Sequence, residues 1–214
     1  MTTVIIDYKS GNVSSVLKSF EFISNFLNHE KVILTEDFDK IMNAKRLVLP
    51  GVGSFDSCKK SLFQNKNLFK IIEKKVIGDR IPFLGICVGH QLLGNYGFEN
   101  NTKTKGFGWI GGKIKLISPI DKKFKIPHMG WNEVTIEKKN HFLFNDIENN
   151  SHFYFTHSYN FELNDGKNLL ASTNYCLKIT AAIVRNNIVG TQFHPEKSQE
   201  NGLKFIKNFI LWNP

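Results

Sequence analysis

Short apolar runs alternate with amphipathic stretches through the first hundred residues. Val4 to Ile6 reads as a strand ending at Asp7, and after a polar loop, Tyr8 to Asn12, apolar residues recur at Val16, Leu17, Phe20, Ile23 and Leu27, the spacing of one helix face. Ser14 or Ser15 stands where a helix cap is expected. Val32 to Leu34 predicts a second strand, a short helix is expected after Asp37, and Leu47 to Leu49 predicts a third strand that stops at Pro50. Helical spacing returns through Cys58, Leu62 and Phe63 and again at Phe69, Ile72 and Val76. Phe83 to Ile86 is an apolar run of strand length, and Val88, Leu92 and Leu93 begin another helical pattern. Strands that alternate with helices need crossovers, and crossovers make a parallel sheet.

After Gly97 the pattern changes. Gly106 to Gly112 is rich in glycine, while Lys113 to Ser118, Glu133 to Glu137, His152 to Thr156 and Leu169 to Thr173 alternate like strands, predicting an antiparallel extension of the same sheet. Ile188 to Phe193 reads as a last strand, and Leu203, Phe205, Ile206, Phe209 and Ile210 as a closing amphipathic helix. The 214 residues suffice for one domain over 1–214. The expected fold is three-layer α/β: an open, mixed, mainly parallel sheet with helices on both faces.

Composition changes this picture little. The formal net charge of +9 raises the question of nucleic acid, yet only Arg46, Arg80 and Arg185 of the 28 basic residues are arginine. Arginine forks are favoured where phosphates and bases are read, so the dispersed lysines point instead to compositional bias, and no nucleic-acid partner is expected. Cys58, Cys87 and Cys176 show no paired spacing, which fits free thiols in a reducing compartment. No apolar run is long enough for a bilayer and the start lacks a leader pattern, so a cytoplasmic location without membrane contact is expected.

Candidate chemistry centres on Gly85-Ile-Cys-Val-Gly89, where a predicted strand gives way to a helix. Small residues on both sides let the backbone turn sharply and hold Cys87 at the apex, and a helix N-terminus favours thiolate there. Alternatively, Cys87 is a small apolar residue packed at a strand end. A base decides between the two. His194 and Glu196 lie two residues apart at the carboxyl end of the last predicted strand, where sites form on open α/β sheets; the imidazole could take the thiol proton while the carboxylate orients it. Gly51-Val52-Gly53 could supply oxyanion donors together with the amide of Val88, or be a plain strand-to-helix turn. A phosphate loop is excluded, because no Gly-Lys-Ser/Thr follows.

Taken in order, Asp7-Tyr-x-x-Gly-Asn12, Pro50-Gly-Val-Gly53, Gly85-Ile-Cys-Val-Gly-His-Gln-Leu-Leu93, Pro127-His-Met-Gly-Trp-Asn132, Tyr154-Phe-Thr-His-Ser-Tyr159 and Gln192-Phe-His-Pro-Glu-Lys-Ser198 resemble the class I, or triad, glutamine amidotransferases. Within them the resemblance is to the glutaminase subunits of imidazole glycerol phosphate synthase. It implies that Cys87 attacks the side-chain amide of glutamine to give a thioester and ammonia, with His194 as base and then acid, and Glu196 as its orienter. It further implies that Gln91, His157, Ser158 and Tyr159 hold the substrate, and that the strand Gly51-Val52-Gly53 reorients when a partner engages. The implied partner is a (β/α)₈ cyclase that receives the ammonia, met by Asn12, Trp131, Tyr154 and Lys197, although Trp131 and Tyr154 could equally be core aromatics. No metal or organic cofactor is implied.

Two positions depart from the family pattern: Lys9, where glycine is frequent, and His90, where an apolar residue is usual. Gly106-Phe-Gly-Trp-Ile110 and Thr180-Ala-Ala-Ile-Val-Arg185 are more similar to paralogues that feed a sugar amidotransferase in surface-polysaccharide synthesis. That acceptor stays open at the level of sequence, because the triad would be the same.

Overall fold

A computed structural model describes residues 2–9, 13–119 and 123–214. The first half follows the expected alternation: β1 (Thr2–Ile6), α1 (Val13–Phe26), β2 (Lys31–Thr35), α2 (Phe38–Met42), β3 (Arg46–Gly51), α3 (Phe55–Gln64), α4 (Lys66–Glu73), β4 (Phe83–Cys87) and α5 (Val88–Gln91). Ser14 and Ser15 lie inside α1 and do not cap it. Ser54 caps α3 by accepting from the Ser57 amide, and Asn65 separates α3 from α4, capping the second through the Asn67 amide.

β3 does not stop at Pro50. It runs on to Gly51, with Pro50 opposite Ile86 and Gly51 opposite Cys87. β1 pairs with β3 only as far as Val48, so at Pro50 the strand has a single neighbour and the missing N–H is tolerated.

The second half contains β5 (Tyr96–Glu99), β6 (Thr102–Lys105), β7 (Gly112–Leu116), β8 (His128–Ile136), β9 (Ser151–His157), β10 (Tyr159–Leu163), β11 (Leu169–Tyr175), β12 (Leu177–Arg185), β13 (Ile188–Thr191) and α6 (Gln199–Leu211). The main sheet has nine strands in the order β2-β1-β3-β4-β13-β12-β11-β8-β9, parallel from β2 to β13 and antiparallel beyond. The antiparallel extension is therefore present, but it does not take every strand. β7 leaves with β5, β6 and β10 to form a separate four-stranded sheet ordered β10-β7-β5-β6, which corrects the assignment of Lys113 to Ser118 to the main sheet. β12 lacks a readable alternation because Ile179 to Val184 are buried in the middle of the nine-stranded sheet, hidden on both faces.

The final strand also ends early, at Thr191. The amide of Gln192 still reaches Ala181 O at 2.8 Å, but that of His194 bonds Tyr154 O on β9 at 2.9 Å, so the chain swings across the strand ends. Its cross-links are aromatic: Phe193 packs 4.3 Å from Phe153 and 5.5 Å from Phe205 between ring centroids, and Phe20 of α1 meets Phe209 of α6 at 6.2 Å. At the other end of the sheet a buried pair, Arg46 Nη1 to Glu30 Oε1 at 2.7 Å, ties β3 to the turn before β2. Among the described residues no helix is long and apolar enough to cross a membrane.

Candidate active site

Cys87 sits where β4 hands over to α5, with φ 54° and ψ −108°, a conformation that L residues rarely adopt. Such strain costs of order 1–3 kcal/mol and persists only where the surroundings over-determine it. Two glycines do so. A Cβ at Gly89 would lie 1.9 Å from Leu49 O, and one at Gly85 would lie 2.4 Å from Gly89 O, so α5 can press down onto β3 and β4 only without those side chains. The predicted elbow is therefore real, but its helix is a single turn. The dipole invoked from the sequence is small over four residues, and the groups beside the sulfur come from elsewhere.

They come from the segment after β13. His194 Nδ1 lies 2.7 Å from Glu196 Oε1, with both side chains almost fully buried. Burial by itself would lower the pKa of His194. The negative charges of Cys87 and Glu196 and their hydrogen-bonding pull outweigh it, raising the pKa to about 10. His194 Nε2 has no hydrogen-bond partner of ordinary geometry, nor has Glu196 Oε2, although both atoms are buried. A buried ring nitrogen left open beside a cysteine sulfur is poised to exchange a proton with it.

The Cys87 sulfur also accepts from Gln192 Nε2 at 3.7 Å, and Gln192 Oε1 accepts in turn from Gln91 Nε2 at 3.0 Å. Gln192 is wholly buried, and sequence reasoning assigned it no role. The signal was there: residues two apart on an extended chain share a side, so Gln192 faces the way His194 does.

A cavity of about 250 Å³ opens over the thiol, lined by Val52, Gly53, Cys87, Val88 and Gln91 on one side and by His157, Ser158, Tyr159 and His194 on the other. These nine sequence candidates share one pocket. Gly51 stands behind Cys87 in register and Gly53 takes φ 121°, which suits glycine. Both nitrogens of His157 are already engaged, Nδ1 with Tyr159 O at 2.8 Å and Nε2 with His128 Nδ1 at 2.9 Å. Glu99, at the end of β5, also lines the cavity and was not foreseen, because nothing around it in the sequence marks it.

The expected interface residues also come together, apart from Asn12, which lies outside the described residues. Trp131 and Tyr154 are opposite in register on β8 and β9, their rings 6.0 Å apart, with Lys197 Nζ 5.8 Å from the Tyr154 ring. Trp131 is 46% exposed, so it is not a core aromatic; Tyr154 is half-buried. Of the two departures, Lys9 adopts φ 61°, the region that glycine occupies freely. His90 is wholly buried against Phe161, with its pKa lowered by burial to about 3, in contrast to the raised pKa of His194.

The family model described as Glutamine amidotransferase class-I matches residues 4–212. Curated relatives include imidazole glycerol phosphate synthase subunit HisH of Pelagibacter ubique, 43% identical over 98% of this chain and 99% of that protein. Proteins of the same name from Cereibacter sphaeroides and Rhodospirillum rubrum are 42% and 43% identical, each over 100% of both chains. Among solved structures, a glutamine amidotransferase from Thermotoga maritima superposes with TM-score 0.65 at 22% identity, covering 92% of this chain and 76% of the other. Another glutamine amidotransferase superposes at 0.70 with 14% identity, covering 98% and 99%. At such identities the structures speak for the fold alone, whereas the family model and the full-length relatives decide the kinship. This chain belongs to the class-I glutamine amidotransferase family.

Proposed function

We propose that this chain is the glutaminase subunit of an imidazole glycerol phosphate synthase. It hydrolyses glutamine through a thioester on Cys87 and passes the ammonia to a cyclase subunit. The observation that carries the chemistry is the buried Cys87–His194–Glu196 arrangement with an open His194 Nε2. Transfer of the thiol proton to His194 leaves a thiolate that attacks the amide carbon. His194 then returns the proton to the departing ammonia and activates the water that frees glutamate. Glu196 fixes the ring through Nδ1. The amide of Val88 and the Gly51-Val52-Gly53 strand serve as oxyanion donors.

Across the cavity, Gln91 Oε1, Ser158 and Tyr159 are polar groups for the amino-acid end, and the Glu99 carboxylate suits its ammonium. Ammonia escapes into water unless a second protein covers the site. On this reading a (β/α)₈ cyclase sits on the Trp131, Tyr154 and Lys197 cluster. In the complete reaction that partner would take a phosphoribulosyl-formimino aminoimidazole carboxamide nucleotide to imidazole glycerol phosphate and an aminoimidazole carboxamide nucleotide. The full-length relatives named for this synthase favour histidine biosynthesis over the sugar-amidotransferase acceptor. None of the three cysteines is in a disulfide, which fits a cytoplasmic setting.

The test is glutamate release by the purified chain, first by itself and then with the cyclase plus its nucleotide. Stimulation by the cyclase that disappears in Cys87→Ala is expected. No stimulation by the cyclase, with turnover by the chain alone intact, would transfer the proposal to the sugar pathway.

A further inference from the structure

β8 shows two different faces. Met129 and Trp131 point outward and are 63% and 46% exposed, while His128, between them and the pocket, is 2% exposed. Its ring is clamped between Tyr175 and Phe155, with centroids 4.1 and 4.8 Å away and both contacts stacked. On the neighbouring strand His157 stands opposite it in register. Burial lowers the pKa of His128 to about 4 and that of His157 to about 3, so both rings are neutral near pH 7 and each offers one donor and one acceptor.

That restriction orders the protons along a chain of contacts. Tyr159 O can only accept, so His157 Nδ1 carries the hydrogen across 2.8 Å and its Nε2 is an acceptor. His128 Nδ1 must then donate to it across 2.9 Å, which leaves His128 Nε2 to accept from Asn132 Nδ2 at 3.2 Å. The second hydrogen of that amide goes to Asn174 O at 3.0 Å. On the pocket side, Tyr159 O also accepts from Gln91 Nε2 at 3.5 Å, and Gln91 donates at 3.0 Å to Gln192, the residue that donates to the Cys87 sulfur. Reversing one ring's tautomer sets lone pair against lone pair or hydrogen against hydrogen, so the chain has one stable polarity.

We propose that His128 and His157 are positioning residues, through which the strand that carries Trp131 holds the Gln91 and Gln192 amides in place at Cys87. This rests on the reading above that a partner docks on the β8–β9 edge. Trp131 and Asn132 are adjacent on β8, so pressure on the outer face moves the amide that fixes the first ring. Neither imidazole touches the sulfur. Their effect passes through Gln91 and Gln192, and it acts on turnover rather than on partner affinity.

The experiment compares His128→Leu, His128→Asn and Asn132→Leu in the complex with the cyclase. It reads kcat and KM for glutamate release, the cyclase dissociation constant, and the rate at which iodoacetamide alkylates Cys87 in the chain alone. In His128→Asn the side-chain amide can rebuild the Nδ1 donor. The expected result is a kcat at least fivefold lower in His128→Leu and Asn132→Leu, with the dissociation constant within twofold of the parent. Cys87 alkylation slows in parallel, and His128→Asn recovers most of both. Parental kcat in both leucine variants would overturn the proposal, and so would a loss that His128→Asn does not relieve while its melting temperature is unchanged. Alkylation needs no partner, so failure of the cyclase to bind would refute the functional reading and leave this one to be decided by the Cys87 rates.

Discussion

Two buried carboxylate–cation pairs lie at different places on the same sheet, and both are 2.7 Å long. At Glu30–Arg46 the cation has no open donor direction toward a cavity: Nη1 goes to Glu30, Nη2 to Trp212 O at 3.2 Å and Nε to Phe209 O at 3.3 Å, while Thr3 Oγ1 also donates to Glu30. At Glu196–His194 the ring nitrogen facing away from the carboxylate is buried and has no partner of ordinary geometry, being left to interact with the Cys87 sulfur. In the first pair Glu30 Oε2 has no partner, as Glu196 Oε2 has none in the second, but every nitrogen of the cation has one, and the pair binds β1, β3 and the end of α6 together. The second is incomplete and borders a cavity with a strained cysteine. The distance and the burial are alike and each carboxylate keeps one unpartnered oxygen, so what separates structure from chemistry is the open nitrogen of the cation beside Cys87.

The sharpest break in that comparison is Glu196→Gln. Removing the orienting charge is expected to lower glutamine turnover by about ten-thousandfold, by analogy with the loss of the orienting carboxylate in other triads. The fold should survive, with circular dichroism and a melting curve as checks. A pH signature accompanies it. His194 has a folded pKa raised above its unfolded value, so its contribution to stability is complete below about pH 6.5 and fades as pH climbs toward 10. In Glu196→Gln that alkaline decline should shrink, as urea midpoints at about pH 7 and about pH 9.5 would show.

Arg46→Met probes the other pair. It strands Glu30 inside the protein and is expected to cost about 3–5 kcal/mol of stability. Steady-state kinetics below the melting transition should give a kcat for glutamate release within twofold of the parent. Restored stability in a second substitution, Glu30→Leu, would confirm that the stranded charge was the cause.

The smallest effect belongs to His90, a buried histidine paired with neither carboxylate. Its folded pKa is lowered to about 3, so stability is lost as pH falls below 6.5 and the unfolded chain takes up the proton first. His90→Met should therefore gain about 2 kcal/mol at pH 5 relative to pH 7.5, measured by urea unfolding. An equal change at both pH values would show that only packing had altered.

Much of this was legible in the sequence because it depends on local periodicity. β1 to β4 are short buried runs between amphipathic helices, and the elbow announces itself through Gly85 and Gly89, whose contacts with α5 and β3 respectively leave no room for a Cβ. The pairing of His194 with Glu196 could be anticipated because the two lie two residues apart just past a strand end. What escaped depends on tertiary pairing. β12 is buried on both faces and loses its alternation, while β7 pairs with β10, more than forty residues along the chain, and so leaves the main sheet. Gln192 and Glu99 gain their place only from what lies across the pocket, and the dipole expected at Cys87 shrank because α5 proved to be one turn long.

Everything proposed for the site depends on Cys87 as the nucleophile, and the most direct measurement is to locate a covalent adduct by mass spectrometry after treatment with a diazoketone analogue of glutamine. The predicted result is a single adduct on the Cys87 peptide, suppressed by excess glutamine and formed more slowly in Glu196→Gln. An adduct confined to Cys58 or Cys176, or one whose rate ignores glutamine, would contradict it.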